Sequence, residues 1–260
     1  MYCVYEDSGF LAESVRRIYP LMDRILFLIG VKPWAGEHNP TYPEEARKTI
    51  ASIPDPDRKF MVVSKDWPGE PEERNDGLRI LRDAKCGWCM IIDDDEMFNR
   101  SEVEVAKKEI SADKLGLPAF TASQVTYWKN RDTVIAGTSS PLPLFVSTTP
   151  EAVLFTMGRC IVVKRGIWSS LKPETILCHH LSYVRSDDKM LRKIKRLDEA
   201  REGKDFYGAG EKLRQWFDQV WLRWTPEMGN LHPNPRAPWG FRKAVPAYTL
   251  PKRLEPLPDA

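Results

Sequence analysis

The sequence predicts an α/β protein in which a mixed sheet is flanked by helices and followed by a helical C-terminal extension. Three observations predict it. The first hundred or so residues alternate short apolar runs with amphipathic stretches. Past residue 115 that alternation gives way to β-rich segments separated by Gly- and Pro-bearing turns, and two more amphipathic stretches precede a Pro-rich end. The expected divisions are 1–115, 116–185 and 186–260, the first two being halves of one domain and the third the extension.

The elements follow in order. "MYCVY" is a short apolar strand, and "DSGFLAESVRRIYPLM" repeats Leu11, Val15, Ile18 and Met22 at helical spacing. "RILFLIGV" is apolar throughout, as suits a parallel strand covered on both faces. "PEEARKTIAS" opens with Pro and acids, which a helix first turn prefers. "FMVVS" reads as a third strand, "EPEERNDGLRILRDA" as a helix with Leu78 and Leu81 inward, and "WCMII" as a fourth strand. "RSEVEVAKKEI" resumes helix with Ser101 and Glu104 at capping-box spacing. "PAFTASQVTYWKN", "LFVSTT" and "RCIVVKRG" read as antiparallel or mixed strands, with "AGTSSPLP" among the turns. "SDDKMLRKIKRLDEAREG" is a helix begun by Ser186, with Met190, Ile194 and Leu197 inside and a basic outer face. "EKLRQWFDQVWLRW" places Leu213, Trp216, Phe217, Val220 and Trp221 at core-like spacing, and the Pro-rich end is a wrapping or partly disordered tail.

Composition excludes several classes. With 39 basic and 37 acidic side chains the net charge is +2, so no overall field marks nucleic acid or membrane as the main partner. No stretch approaches the roughly 20 apolar residues that cross a bilayer, and the N-terminal residues lack the pattern of a secretory signal, so the expected location is cytoplasmic. Five Cys form no regular disulfide framework. Cys86 and Cys89 make a C-x-x-C, but no second ligand pair at zinc spacing accompanies them.

The stretch "CMIIDDDEMF" carries the chemistry. Asp93, Asp94, Asp95 and Glu96 stand together with no basic residue interposed, immediately after the fourth strand. The plain alternative is an acidic loop. In a parallel α/β sheet, however, ligands bind outside the carboxyl ends of the strands, which is where these acids fall. EF-hand spacing fails, since counting from Asp93 puts Met97 and Phe98 at the fifth and sixth positions. A strand ending in D-x-D instead suits Mg²⁺ or Mn²⁺ held by one or two carboxylates, with phosphate oxygens completing the shell. Asp93 and Asp95 share one face if the extended geometry continues.

The series "VYEDSGFLAESVRRIYPLMDRILFLIG", "DWPGEPEERNDGLRIL" and "WCMIIDDDEMF" resembles the nucleotide-sugar-binding half of family-2-like glycosyltransferases of GT-A (Rossmann-like) fold, of bacterial and phage type. The resemblance implies donor contacts from Tyr5, Glu6, Arg74, Asn75, Asp93 and Asp94, with Trp67 either flanking the donor or filling the core. It implies Mn²⁺ or Mg²⁺ bound by Asp95 and Asp93 and completed by a late His. "CHHLSYVRSDDKMLRKIK" is similar to a segment of such enzymes in which His180 is that ligand, with His179 as the alternative; on a strand the two point oppositely. Arg74 pairs with the diphosphate or forms a plain salt bridge. "NLHPNPRAPW" is also similar to a late segment there, which makes His232 and Trp239 acceptor-side candidates. One departure is "FLIGVKPW", where Gly30 stands at the place of a base-reading Asp, leaving Lys32 to touch a phosphate or nothing.

The implied reaction transfers a sugar, with inversion, from a nucleoside-diphosphate sugar (a UDP-sugar foremost) to an acceptor glycan or other hydroxyl-bearing molecule. A carboxylate base is then required, and Glu151, Glu174 and Asp187 are the candidates in that order. Two alternatives stand beside it. One is a nucleotidyltransferase, whose Gly-rich phosphate loop is missing from the N-terminal region. The other is a nucleic-acid-binding or DNA-modifying protein, nucleic acid being the less favoured partner.

Overall fold

A computed structural model describes residues 1–6, 9–34, 38–137, 139–149, 153–156, 159–163, 167–199, 211–231 and 242–257, without the side chains of 139–140 and 196–199. Its first third is the expected alternation: β1 (Tyr2–Val4), α1 (Leu11–Ile18), β2 (Ile25–Gly30), α2 (Thr41–Ser52), β3 (Phe60–Lys65), α3 (Glu70–Asp83) and β4 (Trp88–Met90). β1, β2 and β3 are parallel neighbours. The Met1 nitrogen donates to Met90 O at 2.8 Å and Ile92 N to Met1 O at 3.1 Å, so β4 runs parallel on the free side of β1. The order is therefore β3-β2-β1-β4, with all four carboxyl ends on one side.

β2 is buried at every position, and its alternate side chains feed two cores. Phe27 and Ile29 join Leu11, Val15, Ile50, Val103 and Ile110 on one face; Leu26 and Leu28 join Met1, Trp67, Leu78, Leu81 and Ile91 on the other. Each fully buried side chain of this kind stabilises the fold by about 1.5–3 kcal/mol. Gly77 lets α3 lie close to the sheet, for a Cβ there would stand 2.8 Å from Leu28 and would also collide with Met1.

The remaining strands extend the sheet into a curled, mixed structure. They are β5 (Glu96–Met97), β6 (Ala119–Trp128), β7 (Asn130–Ile135), β8 (Ser139–Ser147), β9 (Val153–Phe155), β10 (Ile161–Val163), β11 (Ser169–Ser170), β12 (Leu177–Tyr183) and β13 (Ala244–Pro246). β4 pairs antiparallel with β8, β8 with β6, and β6 parallel with β12, which pairs antiparallel with β5. β9 and β10 form a separate two-stranded ribbon. Three helices complete the set: α4 (Arg100–Ser111), α5 (Asp187–Glu199) and α6 (Glu211–Trp216), the last continuing as a wider turn to Trp221.

Several expectations are corrected. α1 stops at Ile18 because Pro20 interrupts it, and a 3-10 turn covers Tyr19–Leu21. No capping box forms at α4: the helix starts at Arg100 after Asn99, which places Ser101 inside it, with its hydroxyl toward Glu255. Part of "AGTSSPLP" is strand, since β8 begins at Ser139. β7 and β13, neither singled out from the sequence, pair with one another at a sheet edge, where Pro246 is tolerated. The described part of the tail wraps: the Asn99 amide donates to Arg253 O at 2.8 Å and its oxygen accepts from Glu255 N at 2.9 Å. The buried faces of α5 and α6 meet in an aromatic cluster of Trp128, Trp216, Phe217 and Trp221 with Met190, Ile194 and Leu213. The Leu197 side chain lies outside those described. Among the described residues no helix is long and apolar enough to cross a membrane.

Candidate functional site

The acidic residues form a closed turn rather than a splayed loop. Glu96 N donates to Asp93 O and Asp93 N donates to the Glu96 carboxylate, both at 3.0 Å. The chain then enters β5, and Glu96 is only 1% exposed. Burying that carboxylate requires partners, and they come from far along the chain. Arg159 Nη1 reaches Glu96 Oε1 at 2.6 Å, its Nη2 donates to Ile91 O at 2.7 Å, and Gln124 Nε2 donates to Glu96 Oε1 at 3.2 Å. Arg159 adopts φ of 59°, a left-handed conformation uncommon outside Gly.

Asp93 lies between two guanidiniums: Arg74 Nη2 at 3.1 Å and Arg159 Nη1 at 3.4 Å. Partial burial works against its charge, but those two cations hold its carboxyl below the usual range. Arg74 is itself buried, bonded also to Glu70 at 2.9 Å, and its guanidinium lies 6.0 Å from the ring centres of Trp34 and Phe155. Despite its burial, the surrounding anionic side chains raise its pKa.

Asp95 is the meeting point of the two halves. Leu181 N donates to its carbonyl at 2.8 Å, which locks the turn to β12. Across that junction His180 Nε2 stands 3.4 Å from Asp95 Oδ1, while Arg185 Nη2 donates to Oδ2 at 2.9 Å. Burial would raise this carboxyl; His180, Lys193 and Arg185 together hold it well below the ordinary carboxylate range. His179 points to the other face of β12. It is fully buried, shares a hydrogen bond of 3.0 Å with Tyr127, and burial drives its pKa down to about 3.

The other candidates divide. Tyr5 and Glu6 lie just past β1, at the carboxyl edge; the Tyr5 hydroxyl donates to Asn39 O at 3.1 Å, and Glu6 lies 3.8 Å from Arg192. Asp94 is half-buried in the turn. Asn75 is turned away from the turn and clamps β9, donating to Phe155 O at 3.1 Å and accepting from Phe155 N at 2.9 Å. Trp67 is core, 4% exposed, with its Nε1 bonded to Asp76. Lys32 pairs with Asp66 at 2.5 Å. Glu174 stands exposed before β12, whose residues from Leu177 to His180, about 10 Å of strand, separate it from the acidic turn. The Asp187 carboxylate accepts from Trp221 Nε1 at 2.8 Å, on the aromatic side of α5. Glu151, His232 and Trp239 lie outside the described residues.

The sequence signalled neither Arg159 nor Arg185 nor Gln124, because nothing local marks a residue whose partner lies tens of positions away. Their one available signal was indirect, since four adjacent carboxylates must be neutralised if any of them is buried.

The chain matches no family model and no curated protein. The donor set is thus judged on its own chemistry. Among the described residues no three His, Cys, Asp or Glu side chains are grouped to cage a metal. Mg²⁺ and Mn²⁺ sites that also bind phosphates need less, often one or two protein ligands with substrate oxygens and water. Two ligand atoms about 2.1 Å from one cation lie about 3 Å apart when they meet it at a right angle. The 3.4 Å between Asp95 Oδ1 and His180 Nε2 fits such an open edge.

Proposed function

We propose that this chain is a divalent-cation-assisted glycosyltransferase of GT-A-like fold. It would move a sugar from a nucleoside-diphosphate sugar to an acceptor hydroxyl, with inversion. The observation that carries the reading is the pairing of Asp95 with His180 at the carboxyl end of β4, where an open α/β sheet binds ligands. Around that pair, Arg74 and Arg159 keep Asp93 ionised and fixed.

In this reading Asp95 and His180 would hold Mn²⁺ or Mg²⁺, with Asp93 beside them or at the ribose, and the ion when bound would supply Lewis-acid stabilisation of the departing diphosphate. Glu96 and Arg159 keep the turn in shape, so that Asp94 is presented to the donor. Tyr5 and Glu6 border the donor from the end of β1. The acceptor hydroxyl must lose its proton to a carboxylate as it attacks. Glu151 is our first candidate for that base, because Asp187 is engaged by Trp221 and Glu174 stands beyond the strand.

The test is a panel of nucleoside-diphosphate sugars screened by thermal unfolding with and without Mn²⁺. A ligand of the folded state stabilises it by mass action, about 2.7 kcal/mol at a hundred times Kd, and so raises its midpoint. A metal-dependent rise with at least one donor, lost in Asp95→Asn, is the expected result. An unchanged midpoint across the panel, or an undiminished rise in the variant, overturns the reading.

A further inference from the structure

We propose that the amino ends of β1, β2 and β4 enclose a binding site for a small amphipathic carboxylate, with its alkyl chain in a cavity where the two cores meet and its head between Arg24 and Lys107. These strand ends face away from the acidic turn, so the site is separate from the one described above and does not rest on the glycosyl-transfer reading.

The cavity measures about 220 Å³. Its walls are mainly apolar and come from both cores: Ile18, Ile25, Ile110 and Phe145 from one, Met1 and Leu81 from the other. The space exists because the elements end there. β1 begins at Tyr2, β2 at Ile25 and β4 at Trp88, so the sheet no longer divides one face from the other. Pro20 has already broken α1, and α3 stops at Asp83. Gly87 lines the cavity without filling it, for a Cβ there would meet no atom within 4 Å. An apolar cavity of roughly 150 Å³ stays dry and takes up benzene. This one is about half as large again and suits a longer alkyl chain.

The mouth selects the head group. Leu21, Met22, Asp23, Arg24 and Lys107 line both the cavity and a more polar basin outside it, to which Asp57 and Lys59 also belong. Three cations there face two carboxylates, a balance of one positive charge. Lys59 is paired with Asp57 at 3.3 Å. Arg24 Nη1 donates to Asp23 O at 2.9 Å and Lys107 Nζ to Leu21 O at 2.6 Å. Both cations are thus steadied by backbone carbonyls, and each carries further N–H donors for an incoming carboxylate. A single negative charge on an apolar chain matches a mouth of this charge above a cavity of this lining.

The experiment is calorimetric titration of the full chain with octanoate. Saturable binding is expected, and it should weaken about fourfold for each methylene removed on going to heptanoate and hexanoate, the factor that burying one methylene contributes. Arg24→Gln/Lys107→Gln should weaken octanoate about tenfold and leave 1-octanol within about twofold. Ile110→Phe and Gly87→Phe each extend a side chain from the lining, and each should weaken both ligands about tenfold or more. Two filling variants are used so that a folded one, recognised by its unfolding midpoint, decides the matter if the other fails to fold. Asp95→Asn should bind octanoate as the wild type does. Absence of saturable octanoate binding, equal affinity across the three chain lengths, octylammonium bound as tightly as octanoate, or undiminished binding in the folded filling variants overturns the proposal.

Discussion

The Arg159 guanidinium and the Glu96 carboxylate meet at 2.6 Å, 63 residues apart in sequence, with side-chain exposures of 7% and 2%. Removing one member of a buried pair strands the other. Arg159→Met should therefore destabilise the protein by about 3–5 kcal/mol, read as a fall in the urea midpoint with little change in slope. A loss under about 1 kcal/mol would show that the pair is not buried in solution.

The two adjacent histidines should separate cleanly. His180→Ala is expected to abolish stabilisation by Mn²⁺. His179→Phe should do the opposite. It removes the bond between the ring and the Tyr127 hydroxyl, which keeps its bond to the Leu254 backbone, at a cost of about 0.5–1.5 kcal/mol, and preserves the Mn²⁺ response. Exchanged phenotypes would put His179, not His180, on the face of the acidic turn.

Stability should depend on pH with two opposing slopes. Glu73 is buried beside Trp34, and burial raises its carboxyl from 4.5 to about 8. Its contribution is fully present below about 4.5 and is lost as pH rises toward 8. His179, lowered from 6.5 to about 3, contributes above 6.5 and loses that contribution as pH falls toward 3. The slopes oppose each other between 4.5 and 6.5, and of these two groups Glu73 alone acts between 6.5 and 8. The wild-type melting temperature should thus fall from pH 6.5 to pH 8, and Glu73→Gln, which can still accept from Trp34, should flatten that fall. A variant as pH-sensitive as the wild type would count against the assignment.

Asn75 acts as a backbone surrogate for β9. Asn75→Ala should accelerate amide exchange at Phe155 at least about tenfold, corresponding to loss of hydrogen bonds worth about 1 kcal/mol each. Leu78, further along the same helix, should stay protected. Uniform acceleration along α3 would instead indicate global destabilisation.

The first third of the fold was legible because its signals are local. "RILFLIGV" is apolar on both faces since β2 is covered on both, and Leu78 and Leu81 recur as their helix turns. β7 was missed because its first residues, Asn130, Arg131 and Asp132, are polar and exposed at an edge, where no buried face imposes alternation. The start of α4 was misplaced because Ser101 and Glu104 imitate a cap, whereas the packing of Asn99 against the tail sets the boundary. At the site, the acidic cluster stood out by composition, and the opposite facing of His179 and His180 followed from strand geometry. The reading of that cluster as lacking bases held only for neighbours in sequence; in space Arg74, Arg159 and Arg185 supply them. Asn75 kept company with Arg74 in the motif, yet one helical step turned it toward β9 instead.

The two hydrogen bonds that Asn99 shares with Arg253 O and Glu255 N carry a consequence for synthesis. Residue 255 leaves the ribosome 156 positions after residue 99, so the start of α4 stays unfinished until almost all the described chain has emerged. The pairing of β5 with β12 likewise waits for residues 179 and 180. Such distant closures slow folding and lengthen the period in which a nascent chain exposes unpaired strand edges. A translating ribosome stalled before residue 250 should carry a chain in which Asn99, at the start of α4, still lacks its bonds to the tail.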